Sequence, residues 1–511
     1  MTRDPKARRD AAAVLLTRGH GADLEVLLVH RAPELRFFGG YLALPGGVRG
    51  PEDGPDDAAD GHDVPALASC AVRELFEEVG VVLGDGLRGA LAADRETVRA
   101  QLLGEGASKC WEPLRPVAAR DEAVEPLCRI CTPPFAPVRY DTVFFSAEMP
   151  DGERLDIRTG ELVGGRFWRP DEALEAWRLG EILIVPPVVL ILQHMATGDP
   201  ATFRSRMRAT AESYAHGGLL RVQFSPGVVM ASVATPTLPP ATTTNCLLLG
   251  TDRLVILDPA TPRPDEQARL FALIDALRAE GAEPDSILVT HHHPDHVGAV
   301  TETSLRYRIP VHAHATTLER LAPGFLRGRA LADGDVVPLG TAPDGTADWH
   351  LTALFTPGHD QGHLCFRDSR YGILIAGDML STVSTIVIDP PEGHLRTYLE
   401  SLERLLEQPI HTLYPAHGPA VRDGQRLVRQ YLRHRAQRES ALRKALDEGG
   451  PARPEELVPT VYWEIDPRMR SLAARSLLAG LQKLAEDGAA AVDTDGLWRS
   501  LRANGTPQPS P

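Results

Sequence analysis

The run His291-His292-His293-Pro294-Asp295-His296 constrains this chain more than any other stretch. It follows Ser286-Ile287-Leu288-Val289-Thr290, an apolar run of strand length. Read as H-x-H-x-D-H, it puts four metal-ligating side chains on one tight loop at a strand end. A loop anchored on a rigid strand holds ligands in place, and imidazole with carboxylate suits zinc. Three later pieces supply what one loop lacks. Thr356-Pro357-Gly358-His359 ends another apolar strand. Ala376-Gly377-Asp378 follows Gly372-Ile373-Leu374-Ile375, again strand then loop. Tyr414-Pro415-Ala416-His417-Gly418 closes the set. Asp258, after the strand Leu254-Val255-Ile256-Leu257, is a candidate acceptor for the outer N–H of a ligating imidazole.

The order His-x-His-x-Asp-His, then His, then Asp, then His resembles the metallo-β-lactamase superfamily, and most of all the branch holding glyoxalase II and the β-lactamase-like protein 2 group. The resemblance implies an αββα sandwich with two zinc ions. One zinc takes His291, His293 and His359, the other takes Asp295, His296 and His417, and Asp378 bridges them, while His292 points away. It also implies a supporting Asp at position 258 and a catalytic part for Asp295. Two such metals, roughly 3.5–4 Å apart, lower the pKa of bound water toward about 7 and stabilise attacking and leaving oxygens together.

A second motif lies in front. Ala11 to Thr17 and Leu24 to His30 read as strands, and Leu44-Pro45-Gly46-Gly47 follows. After an insert rich in Gly, Pro and Asp, Asp63 is placed to cap a helix with Pro65 in its first turn. That helix runs through Arg73-Glu74-Leu75-Phe76-Glu77-Glu78-Val79 and stops at Gly80. Val72, Leu75, Phe76 and Val79 form its core stripe. Glu74, Glu77 and Glu78 share another face, where like charges repel by about 0.2–0.5 kcal/mol per pair. A hard divalent cation removes that repulsion, and carboxylate oxygens suit magnesium.

This segment resembles the second half of the Nudix box, Arg-Glu-x-x-Glu-Glu-x-Gly. The first half departs from the pattern: the insert lengthens it, Pro65 stands where its first Glu belongs, and Glu52 is the nearest substitute. The resemblance implies that Glu74, Glu77 and Glu78 hold Mg2+ or Mn2+, that Glu77 and Glu78 are catalytic, and that Arg73 orients them. Upstream, Arg31, Arg36 and Leu44-Pro45-Gly46-Gly47 are similar to the extended signature of Nudix coenzyme A diphosphatases. That likeness assigns Arg31, Arg36, Gly46 and Gly47 to the substrate phosphates.

With 511 residues, the chain expects two to four domains at about 100–200 residues each. The expected organisation is α/β and α+β, multidomain: a Nudix α/β/α sandwich over 1–195, a linker over 196–220, a metallo-β-lactamase αββα sandwich over 221–424, a winged-helix-like helical domain over 425–502, and a disordered tail over 503–511. Leu427, Tyr431, Leu442 and Leu446 recur at helical spacing in the last domain. Arg426, Arg429, Arg433, Arg435, Arg438, Arg443 and Lys444 make it the most basic stretch, read as a solvated face by default, with a substrate-binding surface as the alternative. His434-Arg435 with Arg438-Glu439 extends the likeness to β-lactamase-like protein 2.

A net charge of −15 argues against a protein built mainly to coat nucleic acid. Six scattered cysteines, including the lone pair Cys128 and Cys131, suggest a reducing compartment. The apolar run Ile182 to Leu192 is too short for a bilayer, which needs about 20 residues. A cytoplasmic protein without membrane partners is expected. The expected activity is bifunctional: attack by a di-zinc hydroxide on a thioester or phosphodiester, and Nudix cleavage of a nucleoside diphosphate derivative such as coenzyme A. The alternative is a single-stranded RNA endoribonuclease whose Nudix domain is a non-catalytic ligand sensor. The sequence leaves substrate, metal identity and oligomeric state open.

Overall fold

The computed structural model describes residues 8–501 except 36, 55–63, 105–106, 120–122, 159, 464–465 and 467–468. Arg36, Asp63, part of the insert and the tail from 503 therefore lie outside the described residues. The chain divides into two compact units, one reaching Ala231 and including Pro343–Gly345, the other beginning at Ser232.

The first unit is built on a mixed sheet. Arg9–Arg18 runs parallel to Tyr140–Glu148 and antiparallel to Glu25–Arg31. Leu42–Ala43 and Leu162–Trp168 pair with Glu25–Arg31, Gly46–Val48 with Arg9–Arg18, and Glu125–Cys131 with Tyr140–Glu148. Helix Val64–Val79 buries Val72, Leu75, Phe76 and Val79, the stripe that its periodicity predicts. Each such side chain contributes about 1.5–3 kcal/mol when withdrawn from water. Gly80, at φ +76°, ends the helix. Helices Pro170–Leu179 and Pro186–Ala196 add to the same core.

The stretch over 196–220, read as a helical linker, carries a helix. Helix Phe203–Ala215 buries Met207 and Ala211 in the first core. These residues lie four apart, so one narrow face docks while the remainder stays polar.

The second unit holds two sheets. In one, Arg327–Leu331, Val311–His314, Glu283–Leu288 and Arg253–Leu257 are parallel neighbours, followed by antiparallel Thr243–Leu249. In the other, Val336–Gly340, Trp349–Phe355, Leu364–Asp368, Ile373–Gly377, Thr412–Pro415 and Val421–Arg422 stand in chain order. Only Ile373–Gly377 and Thr412–Pro415 are parallel there. Asn245 Nδ2 donates to Pro415 O and Gly418 O, and Leu364 N donates to Thr290 O, so hydrogen bonds tie the sheets together where the histidine loops emerge. Helix Pro264–Ala279 covers one sheet through Leu270, Ile274 and Leu277, and Leu395–Leu406 covers the other through Tyr398, Leu402 and Leu405.

The long helix Gly424–Gly449 joins two cores. Val428 and Tyr431 pack with Tyr398, Leu402 and Leu413, whereas Leu442 and Leu446 pack with Leu457, Val458, Leu481 and Trp498. Helices Pro454–Val461 and Arg470–Glu486 and the hairpin Ala490–Val492 with Trp498–Ser500 complete the second of these cores. Arg426, Arg429, Arg433, Arg443 and Lys444 are exposed as expected, but Arg435 is buried. No helix among the described residues is long and apolar enough to cross a membrane.

Candidate metal centre

Strand Glu283–Leu288 runs out into Thr290, and the next six residues turn into a one-turn helix, Pro294–Val297. Proline at its first position fixes φ without sacrificing a hydrogen bond, which starts the turn abruptly. Alternate side chains before the turn point to opposite sides. His291 Nε2 and His293 Nδ1 meet at 3.0 Å, and His359 Nε2 lies 3.1 Å from the same His293 Nδ1. His359 is delivered by Gly358 at φ +130°, where a Cβ would fall 2.3 Å from the Tyr398 backbone. Only glycine lets the loop pass the helix so closely.

Three convergent sets of ligand atoms result. Their members all lie within 4.8 Å of one another: His291, His293 and His359; His291, His296 and Asp378; Asp295, His296 and His417. Asp378 spans them. Its Oδ2 is 3.6 Å from His359 Nε2, while its Oδ1 is 3.4 Å from His417 Nε2 and 3.6 Å from His296 Nε2. Asp295 Oδ2 lies 3.5 Å from His417 Nε2. All seven residues expected at this centre thus face one place, on four loops from two sheets.

The outer ring nitrogens are also engaged. His359 Nδ1 donates to Val387 O at 2.8 Å and His417 Nδ1 to Thr243 O at 3.0 Å. His296 Nδ1 meets Asp258 Oδ2 at 2.9 Å, and His291 Nδ1 meets Thr290 Oγ1, which itself donates to Asp258. These partners fix the tautomer that leaves each Nε2 lone pair facing inward. His293 is reversed: Nδ1 faces in, and Nε2 lies 3.3 Å from Glu392 Oε2.

Burial, then the neighbouring imidazoles, hold His291 and His293 below the usual histidine range. His296 and His417 also lose hydration, yet Asp378 raises both. The same two histidines overcome burial at Asp378 and hold its carboxyl well down. His296 Nε2 and Asp378 Oδ1 are buried without a hydrogen-bond partner. Orphaned buried polar atoms are costly, and a divalent pair coordinated at this point would satisfy them. The donor set therefore fits two cations.

His292 turns away, with Nδ1 2.6 Å from Asp360 Oδ2. Together with His293, Asp360 and Glu392 it makes a fourth convergent set. Arg320 already occupies that ground, ion-paired to Glu392 and 3.6 Å from Asp360 Oδ2. A guanidinium there opposes a second positive ion. His363 escaped the sequence reading. It is fully buried, accepts from Asp378 N at 3.1 Å and meets Thr356 Oγ1 at 2.9 Å. Burial pushes it down to about 3, so it stays neutral and holds the backbone of Asp378. Its signal was the repeat of His four residues after His359.

In the first unit, Arg73 is buried and grips Asp53 with two bonds of 2.8 Å. Its Nη1 lies 3.0 Å from Glu74 Oε1 and 3.2 Å from Glu77 Oε2. Glu52 comes no closer than 3.8 Å to that guanidinium, so the residue beside it takes the central place. Gly46 N donates to Glu78 Oε2 at 2.9 Å, and a Cβ on Gly47 would meet Glu74 Oε1 at 2.4 Å. Burial pushes Glu74 up to about 7 and raises Glu77 and Glu78 as well; the charge of Glu161 adds to the last two. The Arg31 charge opposes the shift at Glu78, and Arg31 Nε is buried without a hydrogen-bond partner. These carboxylates are crowded and under-compensated, which suits a cation. Among the described residues, however, every set converging within 4.8 Å belongs to the second unit.

Comparison with known proteins follows this division. Residues 239–417 match the profile of the Metallo-beta-lactamase superfamily, residues 7–101 that of the NUDIX domain, and residues 454–498 that of the Beta-lactamase associated winged helix domain. The probable metallo-hydrolase YqgX of Bacillus subtilis (strain 168) is 32% identical over 182 residues, 34% of this chain and 83% of that protein. The Beta-lactamase-like protein 2 homolog of Caenorhabditis elegans is 28% identical over 250 residues, 48% of this chain and 79% of its own length. A hydroxyacylglutathione hydrolase of Bdellovibrio bacteriovorus is 29% identical over 164 residues, 32% of this chain and 57% of that protein. The chain belongs to the metallo-β-lactamase superfamily, with a NUDIX domain before the metallo-β-lactamase domain and a winged helix after it, and is a hydrolase.

Proposed function

We propose that the second unit is a di-zinc hydrolase of a thioester. The observation that carries this is the meeting of His291, His293, His359, Asp295, His296 and His417 around Asp378. A bound metal pair supplies Lewis acidity and makes water nucleophilic near neutral pH. The protein's own part is to fix six ligands about one carboxylate and to keep His363 neutral behind it. Asp295, at the edge of the cluster, is the catalytic carboxylate. Water adds across the ester: the acyl carbon gains oxygen, the C–S bond breaks, and the thiol leaves with a proton. The likeness to a hydroxyacylglutathione hydrolase favours thioester over phosphodiester.

The exposed side chains of Arg426, Arg429, Arg433, Arg443 and Lys444 along one helix favour a second reading, cleavage of single-stranded RNA. Acyl-coenzyme A and an RNA oligomer, assayed side by side, separate the two. His293→Ala should abolish whichever activity is found, and full activity in that variant would overturn the di-metal reading.

In the first unit we propose Mg2+- or Mn2+-dependent cleavage of a nucleoside diphosphate derivative such as coenzyme A. Glu74, Glu77 and Glu78 hold the cation, with Glu77 and Glu78 acting in catalysis. Arg31, Arg36, Gly46 and Gly47 take the phosphates, and Arg73 positions the carboxylates. Glu77→Gln should remove coenzyme A hydrolysis. Unchanged turnover, or none in either form, would leave this domain as a ligand sensor. Six cysteines scattered along the chain support the reducing cytoplasm as its compartment.

A further inference from the structure

The segment from Ser381 to His394 lies outside the ligand set, yet two of its groups hold ligands of the same metal position. Val387 O accepts from His359 Nδ1 at 2.8 Å, and Glu392 Oε2 lies 3.3 Å from His293 Nε2. Glu392 is itself steadied by Arg320, whose other arm reaches Gln361 Oε1 at 3.1 Å. One oxygen of Glu392 is thereby committed to the guanidinium, and the other is left for the imidazole.

The segment is anchored from behind by the long helix Gly424–Gly449. The Tyr431 hydroxyl accepts from Ser381 N at 2.9 Å and lies 2.7 Å from Ser384 O. Buried Arg435 donates to Ile386 O, one residue before Val387, and its guanidinium sits 5.2 Å above the Tyr398 ring. At the far end, Arg475 of helix Arg470–Glu486 pairs with half-buried Asp389 at 2.5 Å, though Arg475 itself is exposed and this contact adds little. The helix is continuous from Tyr431 to Leu446, which sits in the winged-helix core. A displacement of that helix would move the carbonyl that orients His359.

Resting on the di-metal reading above, we propose that Glu392 is a positioning residue for His293. We further propose that Arg435 and Tyr431 position His359 through the carbonyl of Val387. The C-terminal helical domain then acts first on the metal position held by His291, His293 and His359, through imidazole contacts that the segment does not make to His296 or His417. The rings of His296 and His417 are held instead by Asp258 and Thr243 O, and the segment reaches His417 only through its backbone oxygen, which accepts from Thr382 N and Ser381 Oγ at 3.3 Å each.

The test is metal binding by the full chain, read by chelator competition with zinc and by the visible spectrum of the cobalt-substituted protein. Glu392→Ala should weaken one of two metal equivalents by about 10–100-fold, the range for loss of an outer partner of a ligating histidine. Glu392→Gln, which keeps an acceptor without charge, should fall between that variant and the parent. Arg435→Met and Tyr431→Phe should weaken the same equivalent and shift the same cobalt band. Tyr431→Phe removes only one oxygen, which keeps the proposal open to refutation if Arg435→Met does not fold. His293→Ala is the control. If it retains both equivalents, the di-metal reading itself fails. If it loses one while Glu392→Ala and Tyr431→Phe bind both as tightly as the parent, the positioning role is overturned and the metal centre stands.

Discussion

Asp258 meets His296 Nδ1 at 2.9 Å, and both side chains are withdrawn from solvent. The same carboxylate accepts from Thr290 N at 2.8 Å and Thr290 Oγ1 at 2.7 Å, and so sets the start of the histidine loop as well as one ring on it. Asp258 has φ +48°, a conformation that Asn also tolerates. Asp258→Asn should therefore fold, yet weaken metal at the Asp295, His296 and His417 position by about 10–100-fold. Asp258→Ala leaves buried Thr290 groups without partners and should cost a further 1–3 kcal/mol or so of stability. Chelator competition reads the first effect and thermal unfolding the second. Unchanged affinity in Asp258→Asn would remove the residue from the site.

The Arg73–Asp53 pair makes a different demand on the first unit. Asp53 is fully buried at its carboxylate, so removing Arg73 strands a charge. Breaking a buried pair from one side costs about 3–5 kcal/mol. Arg73→Met should speed amide exchange across residues 64–79, and adding Asp53→Asn should recover part of the loss. If the double variant is no better than the single, the energetic role lies in the contacts of Arg73 to Glu74 and Glu77 instead.

The metal loops were legible because their ligand types are rare, dense and placed directly after apolar strands. What orients them was not. Val387 and Thr243 act through backbone carbonyls, which carry no residue signal, and Glu392 stands 99 residues from its histidine. In the front domain the reading looked to Glu52 to replace a missing carboxylate. The one-turn helix Pro51–Asp53 instead aims Asp53 at Arg73, with Asp53 also capping Gly50 N at 2.9 Å. A shift of one residue inside an irregular insert cannot be read from periodicity. Arg435 escaped for a related reason: it stands on the buried face of its helix with Val428, Tyr431 and Leu442, but as an arginine it counts with the basic face, and its burial depends on the loop carbonyl that it meets.

Glu153 gives the first unit a pH signature. Its carboxylate is nearly buried, accepts from Arg95 at 2.6 and 2.9 Å and from Val82 N at 3.1 Å. Burial alone would raise it, but these donors win and its pKa is lowered. A group with a depressed folded pKa adds stability above its unfolded value, near 4.3 or so, and loses it as pH falls through the folded value. Glu153→Gln should thus cost about 1–3 kcal/mol at pH 7, the scale of charge-assisted hydrogen bonds. The gap from the parent should shrink as pH drops below about 4. Urea unfolding at pH 7 and pH 3.5 or so measures both; an equal gap at the two would show that shape, not charge, is what Glu153 contributes.

Metal removal should destabilise the second unit through its buried ligand cluster. Without cations, the second unit must hold His291, His293, His359 and Asp378 together with two buried polar atoms unsatisfied. A ligand that binds only the folded form stabilises it by RT ln(1 + [L]/Kd), about 2.7 kcal/mol at a hundredfold excess over Kd. A chelator should therefore lower the unfolding temperature of the second unit, and added zinc should restore it in proportion to the logarithm of free metal. His293→Ala should blunt this response, since it removes the nitrogen that both His291 and His359 face at 3.0 and 3.1 Å. Amide exchange resolves the two units by residue, and protection at residues 283–300 is the quantity to follow. If chelation leaves that protection unchanged, the orphaned atoms of the cluster are satisfied by something other than a metal pair.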